Sequence, residues 1–501
     1  MTTDILRWPV VGDILRWRHV RTSFQLLTLL VAAVVIAHGL LGPQNPSTNL
    51  APVLTWVHFR GLLIVALLAA GNLFCAGCPF VLVRDAGRRL RPPARSWPRR
   101  LRTKWFGVAL LIGVLFVYEL FDLWALPRAT AYLVLAYFGA ALAIDLVFSG
   151  ATFCKYLCPI GQFNFVASTM SPLELQVREQ STCRACRTAD CIKGRLQAPD
   201  SRLHAPGVGL QFADARAPIP KAGARSPKLV VQRGCELGLF LPLKVGNLDC
   251  TFCLDCVQAC PHDNIALAAR LPGLELADAR RRSGLGRLAR RWDLVALTIV
   301  FVFGGLLNAF AMVSPVYHLE TWLAGVMGAR SEAPVLAVVF LGSLMLGPAV
   351  IVGGAAWLTG ALTGGGRPIG RIVLQYVYTL VPFGFGMWLA HYGFHLLTSA
   401  LTVLPIAQNV VNGFVGRPVL GEPIWRWTGL RPGTAFPIEI GCILVGAVGS
   451  LALAYRISDR EYPDRASHAA APWALVTVAL SAAAVWILSQ PMEMRGTGFL
   501  G

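Results

Sequence analysis

The sequence predicts a mainly α-helical, polytopic membrane protein with one inserted polar domain rich in cysteine, and three observations lead there. Of 501 residues, 55% are hydrophobic and only 14% are charged, whereas roughly a quarter of a soluble globular chain is charged. About nine apolar stretches approach the roughly 20 residues that a helix needs to cross a bilayer. Of thirteen cysteines, twelve fall between 75 and 260 in spaced pairs and triplets, a pattern of metal ligation in a reducing compartment rather than of a disulfide scaffold.

The expected spans cover residues 24–41, 57–75, 105–123, 131–149, 293–315, 333–357, 373–403, 436–455 and 471–489. The seventh holds Pro382 and several glycines, so a break is expected there. Before the first span stand Arg7, Arg16, Arg18 and Arg21, and the repeated Asp-Ile-Leu-Arg-Trp at 4–8 and 13–17 reads as an amphipathic interfacial stretch. No cleavable signal is expected, because the first apolar run lacks an early small-residue cleavage site and fits a span. Nine basic residues lie between Arg84 and Lys104, against none from Gly42 to Thr55. Short basic loops stay cytoplasmic, so the N-terminus is placed inside and the C-terminus outside. Most of the net charge of +19 is thereby an orientation signal, and nucleic acid is not needed to explain it.

Three units follow: a four-helix membrane domain at 1–150, a cytoplasmic domain at 151–292 and a five-helix membrane domain at 293–501. Within the middle unit, 193–233 is rich in Pro, Gly, Ala and Arg and reads as a surface loop. The six arginines of 280–291 read as a juxtamembrane basic segment facing lipid.

Cys250-x2-Cys253-x2-Cys256-x3-Cys260-Pro261 has the spacing of half a bacterial-type two-[4Fe-4S] ferredoxin domain, in which three thiolates hold one cube and the fourth reaches its neighbour. Zinc sites rarely run three thiols at two-residue intervals before Cys-Pro. Cys183-x2-Cys186-x4-Cys191 is a widened partner half with Arg195 where a fourth cysteine would stand. Two [4Fe-4S] clusters then divide eight thiols: Cys183, Cys186, Cys191 and Cys260 for one, and Cys250, Cys253, Cys256 and Cys235 for the other.

A short duplication links Gly71-Asn-Leu-Phe-Cys75-Ala-Gly-Cys78-Pro79 with Gly150-Ala-Thr-Phe-Cys154-Lys-Tyr-Leu-Cys158-Pro159, each at the inner end of a span. Brought together, Cys75, Cys78, Cys154 and Cys158 form a third cluster site, a Cu(I) site, a redox dithiol or close packing, and spacing leaves these open. Cys442, alone in an apolar span, reads as a small core residue.

Four spans, two Cys-Pro motifs and a two-cube domain together resemble the membrane iron-sulfur proteins of the NapH and NosR type, over about residues 20–275. The resemblance implies electron transfer at the bacterial inner membrane, coupled to quinol oxidation as a quinol dehydrogenase component, with other redox proteins as partners. The chain departs from that family in its first pair, which has two intervening residues instead of three. It has neither the flavin domain of the larger members nor the immunoglobulin-like domain of the related copper reductases, and about five extra spans take their place. A copper reductase or assembly factor and a structural subunit of a larger respiratory or photosynthetic complex are the competing readings.

His391 and His395 lie four apart, hence on one helical face. With His38 and His58 they fall toward the outer side as candidates for haem or quinone. One haem cannot take both members of the pair, and interhelical hydrogen bonding is the plainer reading. Glu119, Asp122, Asp145 and Glu439 are the acidic residues in or near spans.

Overall fold

The computed structural model describes residues 3–197, 230–278, 282–283 and 286–492. Most of the expected 193–233 loop and part of the 280–291 basic run lie outside those residues. The helices of the first half are α1 (Val20–Leu41), α2 (Leu50–Ala70), α3 (Pro79–Leu90), α4 (Trp105–Leu120), α5 (Pro127–Val147) and α6 (Pro159–Ala167), of which α1, α2 and α5 are long and apolar enough to span. The polar insertion adds β1 (Leu173–Val177), α7 (Gln180–Ala185), α8 (Asp190–Lys193), β2 (Arg195–Gln197), β3 (Val230–Gln232), α9 (Asp255–Ala259) and β4 (Ile265–Ala269). The second half comprises α10 (Trp292–Phe310), α11 (Ser314–Met327), α12 (Glu332–Thr363), α13 (Ile369–Ser399), α14 (Val403–Val415), α15 (Pro432–Glu461) and α16 (Ala466–Ser489).

Among the described residues eight helices are long and apolar enough to cross a membrane, against the about nine expected. The expected third span is α4, with 16 residues. It stops early because the chain turns through Asp122, whose φ of 44° is left-handed, and Pro127 then starts α5. Even so, α4 runs alongside α10: the Lys104 N–H at its start donates to Asp293 (2.7 Å), and Asn308 near the other end of α10 donates to Glu119 (3.2 Å). The short apolar α14 and the 14-residue α11 were not foreseen.

The break expected in the seventh span is a 3-10 turn, Val377–Leu380, which passes directly into the last part of α13. This is the central helix, with 89% of its most apolar window buried against 17% for α1. It meets α15 backbone to backbone. A Cβ on Gly386 would stand 2.5 Å from the Cys442 carbonyl, and one on Gly446 would stand 2.7 Å from that of Pro382. Small residues let membrane helices approach this closely, which accounts for Cys442.

In the insertion β1 pairs antiparallel with β4, from Leu173 opposite Ala269 to Val177 opposite Ile265. The N-terminus adds to it: the Ala269 N–H donates to the Thr3 carbonyl, that of Leu267 donates to Asp4, and Leu6 is buried. The first Asp-Ile-Leu-Arg-Trp copy therefore docks on the cysteine domain. Trp8, Ile14 and Trp17 stay exposed, as an interfacial stretch requires. Just after residue 151, α6 is buried, with Phe163 edge-on to Trp388 at 5.1 Å.

Candidate metal centre

Each Cys-Pro motif ends a helix pair in the same local way. Gly71 and Gly150 adopt left-handed φ values of 73° and 77°, which reverse the chain after a span. Pro79 and Pro159 then occupy the first turns of α3 and α6, where a missing N–H costs nothing. Cys78 and Cys158 thus become N-caps, and the Gly161 N–H donates to Cys158 Sγ at 3.2 Å. A helix N-terminus favours a thiolate. The extra residue in Cys154-x3-Cys158 is absorbed by a π-turn, Phe153–Leu157, where Cys75 sits in an α-turn, Leu73–Ala76. A π-turn is a one-residue insertion, so unequal spacing still brings both pairs together.

All four thiols line one small cavity with Arg21, Arg84 and Glu236, and Cys235 and Cys253 reach the same cavity. Asn164 Nδ2 lies 3.4 Å from Cys75 Sγ. Arg84, 1% exposed, pairs with Glu236 (2.7 Å), Asp85 (2.7 Å) and Asp145 (3.4 Å), and Arg21 pairs with Asp255 (2.5 Å). Burial alone would raise the Glu236 carboxyl, but Arg84 and Arg21 hold it down to about 2. Asp145 also accepts from the Phe153 N–H (2.9 Å), so it fixes the π-turn.

Next come Cys250, Cys253 and Cys256, with Cys235 near enough that its charge bears on each of the three thiols. Asp249, Phe252 and Leu254 all have left-handed φ, at 69°, 52° and 62°. Such strain persists only where the surroundings impose it. Two contacts do so here: Lys104 Nζ pairs with Asp249 at 2.8 Å, both fully buried, and Asn72 donates to the Cys250 carbonyl at 3.1 Å.

The third group, Cys183, Cys186, Cys191 and Cys260, surrounds a cavity at the rim of the domain with His262 and Asn264. Asn264 donates from its side chain to Cys183 Sγ (3.3 Å) and from its backbone to Cys260 Sγ (3.4 Å). The N–H of Ala189 and the hydroxyl of Thr188 draw the Cys186 thiol down to about 7, while burial and its neighbours push Cys191 up to about 11. The Cys235 N–H donates to the Cys191 carbonyl at 2.9 Å, which ties this group to the middle one.

Among the described residues no three His, Cys, Asp or Glu side chains converge on one metal ion. A tetrahedral zinc or copper site would need sulfurs about 3.8 Å apart, given a metal-sulfur bond of about 2.3 Å. A four-iron cube is wider and holds its thiolates further apart, so four thiols around a shared cavity with amides aimed at sulfur suit the cube better.

Beyond the Cys-Pro motifs an apolar cavity of about 570 Å³ opens between the two membrane halves. Phe74, Phe80 and Ile160 line both it and the thiol cavity, while Trp56, His58, Arg60 and Tyr392 also line it. His58 bonds the carbonyls of Val53 and Ala400 through its two ring nitrogens, and His38 Nδ1 accepts from the Leu50 N–H. His391 and His395 do share a face, with ring centroids 4.9 Å apart. Their other ring neighbours are Tyr392 and Phe394. Sequence reasoning passed over Arg60, although a lone arginine inside an apolar run is itself a signal, and counted Arg84 and Lys104 only as orientation charges.

Comparison with family models, curated proteins and solved structures finds no match for this chain.

Proposed function

We propose that the chain is an integral-membrane iron-sulfur electron-transfer protein of the NapH and NosR type, a quinol dehydrogenase component that links the quinone pool to a ferredoxin-type domain. The carrying observation is that Cys183, Cys186, Cys191 and Cys260 line one cavity and Cys75, Cys78, Cys154 and Cys158 line another with Cys235 and Cys253, and that the second shares Phe74, Phe80 and Ile160 with the large apolar cavity. Cys183, Cys186, Cys191 and Cys260 would hold one [4Fe-4S] cluster, and Cys235, Cys250, Cys253 and Cys256 a second. Cys75, Cys78, Cys154 and Cys158 would hold a third at the membrane edge. Such clusters, when bound, supply one-electron steps between a two-electron quinol and a one-electron partner.

The residues of the chain do the rest. Arg21 and Arg84 offset the negative charge of thiolates in a buried site. Phe74, Phe80 and Ile160 exclude water between that site and the cavity, and the second membrane half supplies the cavity wall through Phe301, Trp388 and Tyr392. Anaerobic purification should yield iron and acid-labile sulfide in equal amounts with spin-coupled EPR signals. A chain that holds zinc and no sulfide would sink the reading. Copper titration separates the copper-reductase alternative, which requires copper-dependent oxidation of the reduced protein that is lost in Cys75→Ser.

A further inference from the structure

Resting on the quinone reading above, we infer that the end of the apolar cavity remote from the thiols grips the quinone headgroup. Arg60 donates to a carbonyl oxygen there, and the His391–His395 pair receives the protons of quinol oxidation. Arg60 stands in the middle of α2, about 15 Å along the helix from Ala70 at 1.5 Å per residue. A cation at that depth is costly and marks a functional site. Its guanidinium carbon lies 4.3 Å from the Trp56 ring centroid, 4.2 Å from that of Tyr118 and 5.2 Å from that of Tyr392. Aromatic faces stabilise the charge but accept few hydrogen bonds, whereas a guanidinium offers five N–H donors. The cavity beside it is apolar, so a carbonyl oxygen on a hydrophobic ring is the matching partner. The segment before Arg60, Val53–Phe59, is a π-turn, a device common at functional sites.

The second, independent observation lies behind Tyr392. The Nε2 atoms of His391 and His395 are buried without a hydrogen-bond partner, and His391 is 2% exposed. Buried polar atoms left unpaired are rare and call for an explanation. Proton acceptance supplies one. Oxidation of one quinol breaks two O–H bonds. One proton passes to each ring of the pair and then to water at the end of α13 away from the thiols. The two electrons would leave singly toward the one-electron centre that Cys75, Cys78, Cys154 and Cys158 would hold. Protons and electrons therefore part toward opposite faces of the membrane.

The full chain in nanodiscs, titrated with a short-tailed ubiquinone and followed by quenching of Trp56 and Trp388, tests this. Arg60→Met should weaken binding at least about tenfold, the loss of a charge-assisted hydrogen bond, with iron content unchanged, and Arg60→Lys should fall between. In proteoliposomes the His391→Gln, His395→Gln double variant should keep its iron but lose proton release at the face remote from the thiols, and proton release at the wild-type rate would overturn the role of the pair. Normal quinone binding by Arg60→Met overturns the inference and leaves the electron-transfer reading intact, whereas a wild-type chain that binds iron but no quinone overturns both. An azidoquinone needs no variant: labelling between Trp56 and Leu63 supports the site, and labelling confined to Phe74–Phe80 excludes it.

Discussion

The thiol groups at the two ends of the row are built from the same residue type in opposite surroundings. Cys183, Cys186, Cys191 and Cys260 sit at the rim of the polar domain, partly open to water, and owe their order to Asn264 and a few local amides. Cys75, Cys78, Cys154 and Cys158 sit where two membrane helix pairs end, enclosed by Arg21, Arg84 and the aromatic floor of the cavity. On the proposed reading the contrast separates two jobs. A buried site is shielded from water and faces a lipid-soluble reactant, while a rim site is reachable by a soluble protein.

Removing one thiol from each end should break the symmetry most clearly. Cys158→Ala should lose the membrane-edge share of the iron and reduce electron transfer from quinol to background, whereas Cys186→Ala should lose the rim share yet still allow quinol to reduce the remaining centres. Both are read by iron analysis and stopped-flow absorbance. Equal behaviour of the two variants would contradict the division. Next in size is Lys104→Met, which leaves Asp249 charged and unpaired beneath Cys250 and should cost about 3–5 kcal/mol of stability, seen as a lower melting temperature in detergent.

The duplicated glycines sharpen the comparison further. In Gly71→Ala the new Cβ would stand 2.6 Å from the Phe252 ring on a left-handed backbone, but at Gly150 the nearest atom is the Glu236 carbonyl at 3.6 Å. Gly71→Ala should therefore cost about 2–3 kcal/mol and Gly150→Ala only about 1 kcal/mol by thermal melting. The smallest effect is chemical. In cluster-free protein Cys186 should be alkylated with a midpoint near pH 7, because the reactive thiolate forms as pH rises past its lowered value, while Cys191 should lag to about 11.

That Cys183, Cys186, Cys191 and Cys260 line one cavity was legible in the sequence. Cys250, Cys253 and Cys256 are set by two-residue gaps, and the crossing of Cys260 to the other group follows from the residues that separate them, since short loops leave few ways to turn. Cys235 was joined to Cys250, Cys253 and Cys256 by a count of thiols, and in the structure it also lines the cavity of the Cys-Pro thiols. The span count was less secure, because hydropathy does not see a chain reversal such as the one at Asp122 that ends α4 early.

What the sequence determined by itself was therefore local or cumulative: a membrane class from composition, helix periodicity from apolar runs, and thiol groups from spacing. The tertiary structure alone decided how residues far apart in the chain meet. It drew Cys75 and Cys78 to Cys154 and Cys158 through a π-turn that offsets one extra residue, and it set Lys104 against Asp249. It also enclosed Arg60 among Trp56, Tyr118 and Tyr392 from three helices. The physical reason is that spacing fixes geometry only over a turn or two of backbone, while a buried charge or cavity takes its character from whichever helices pack around it.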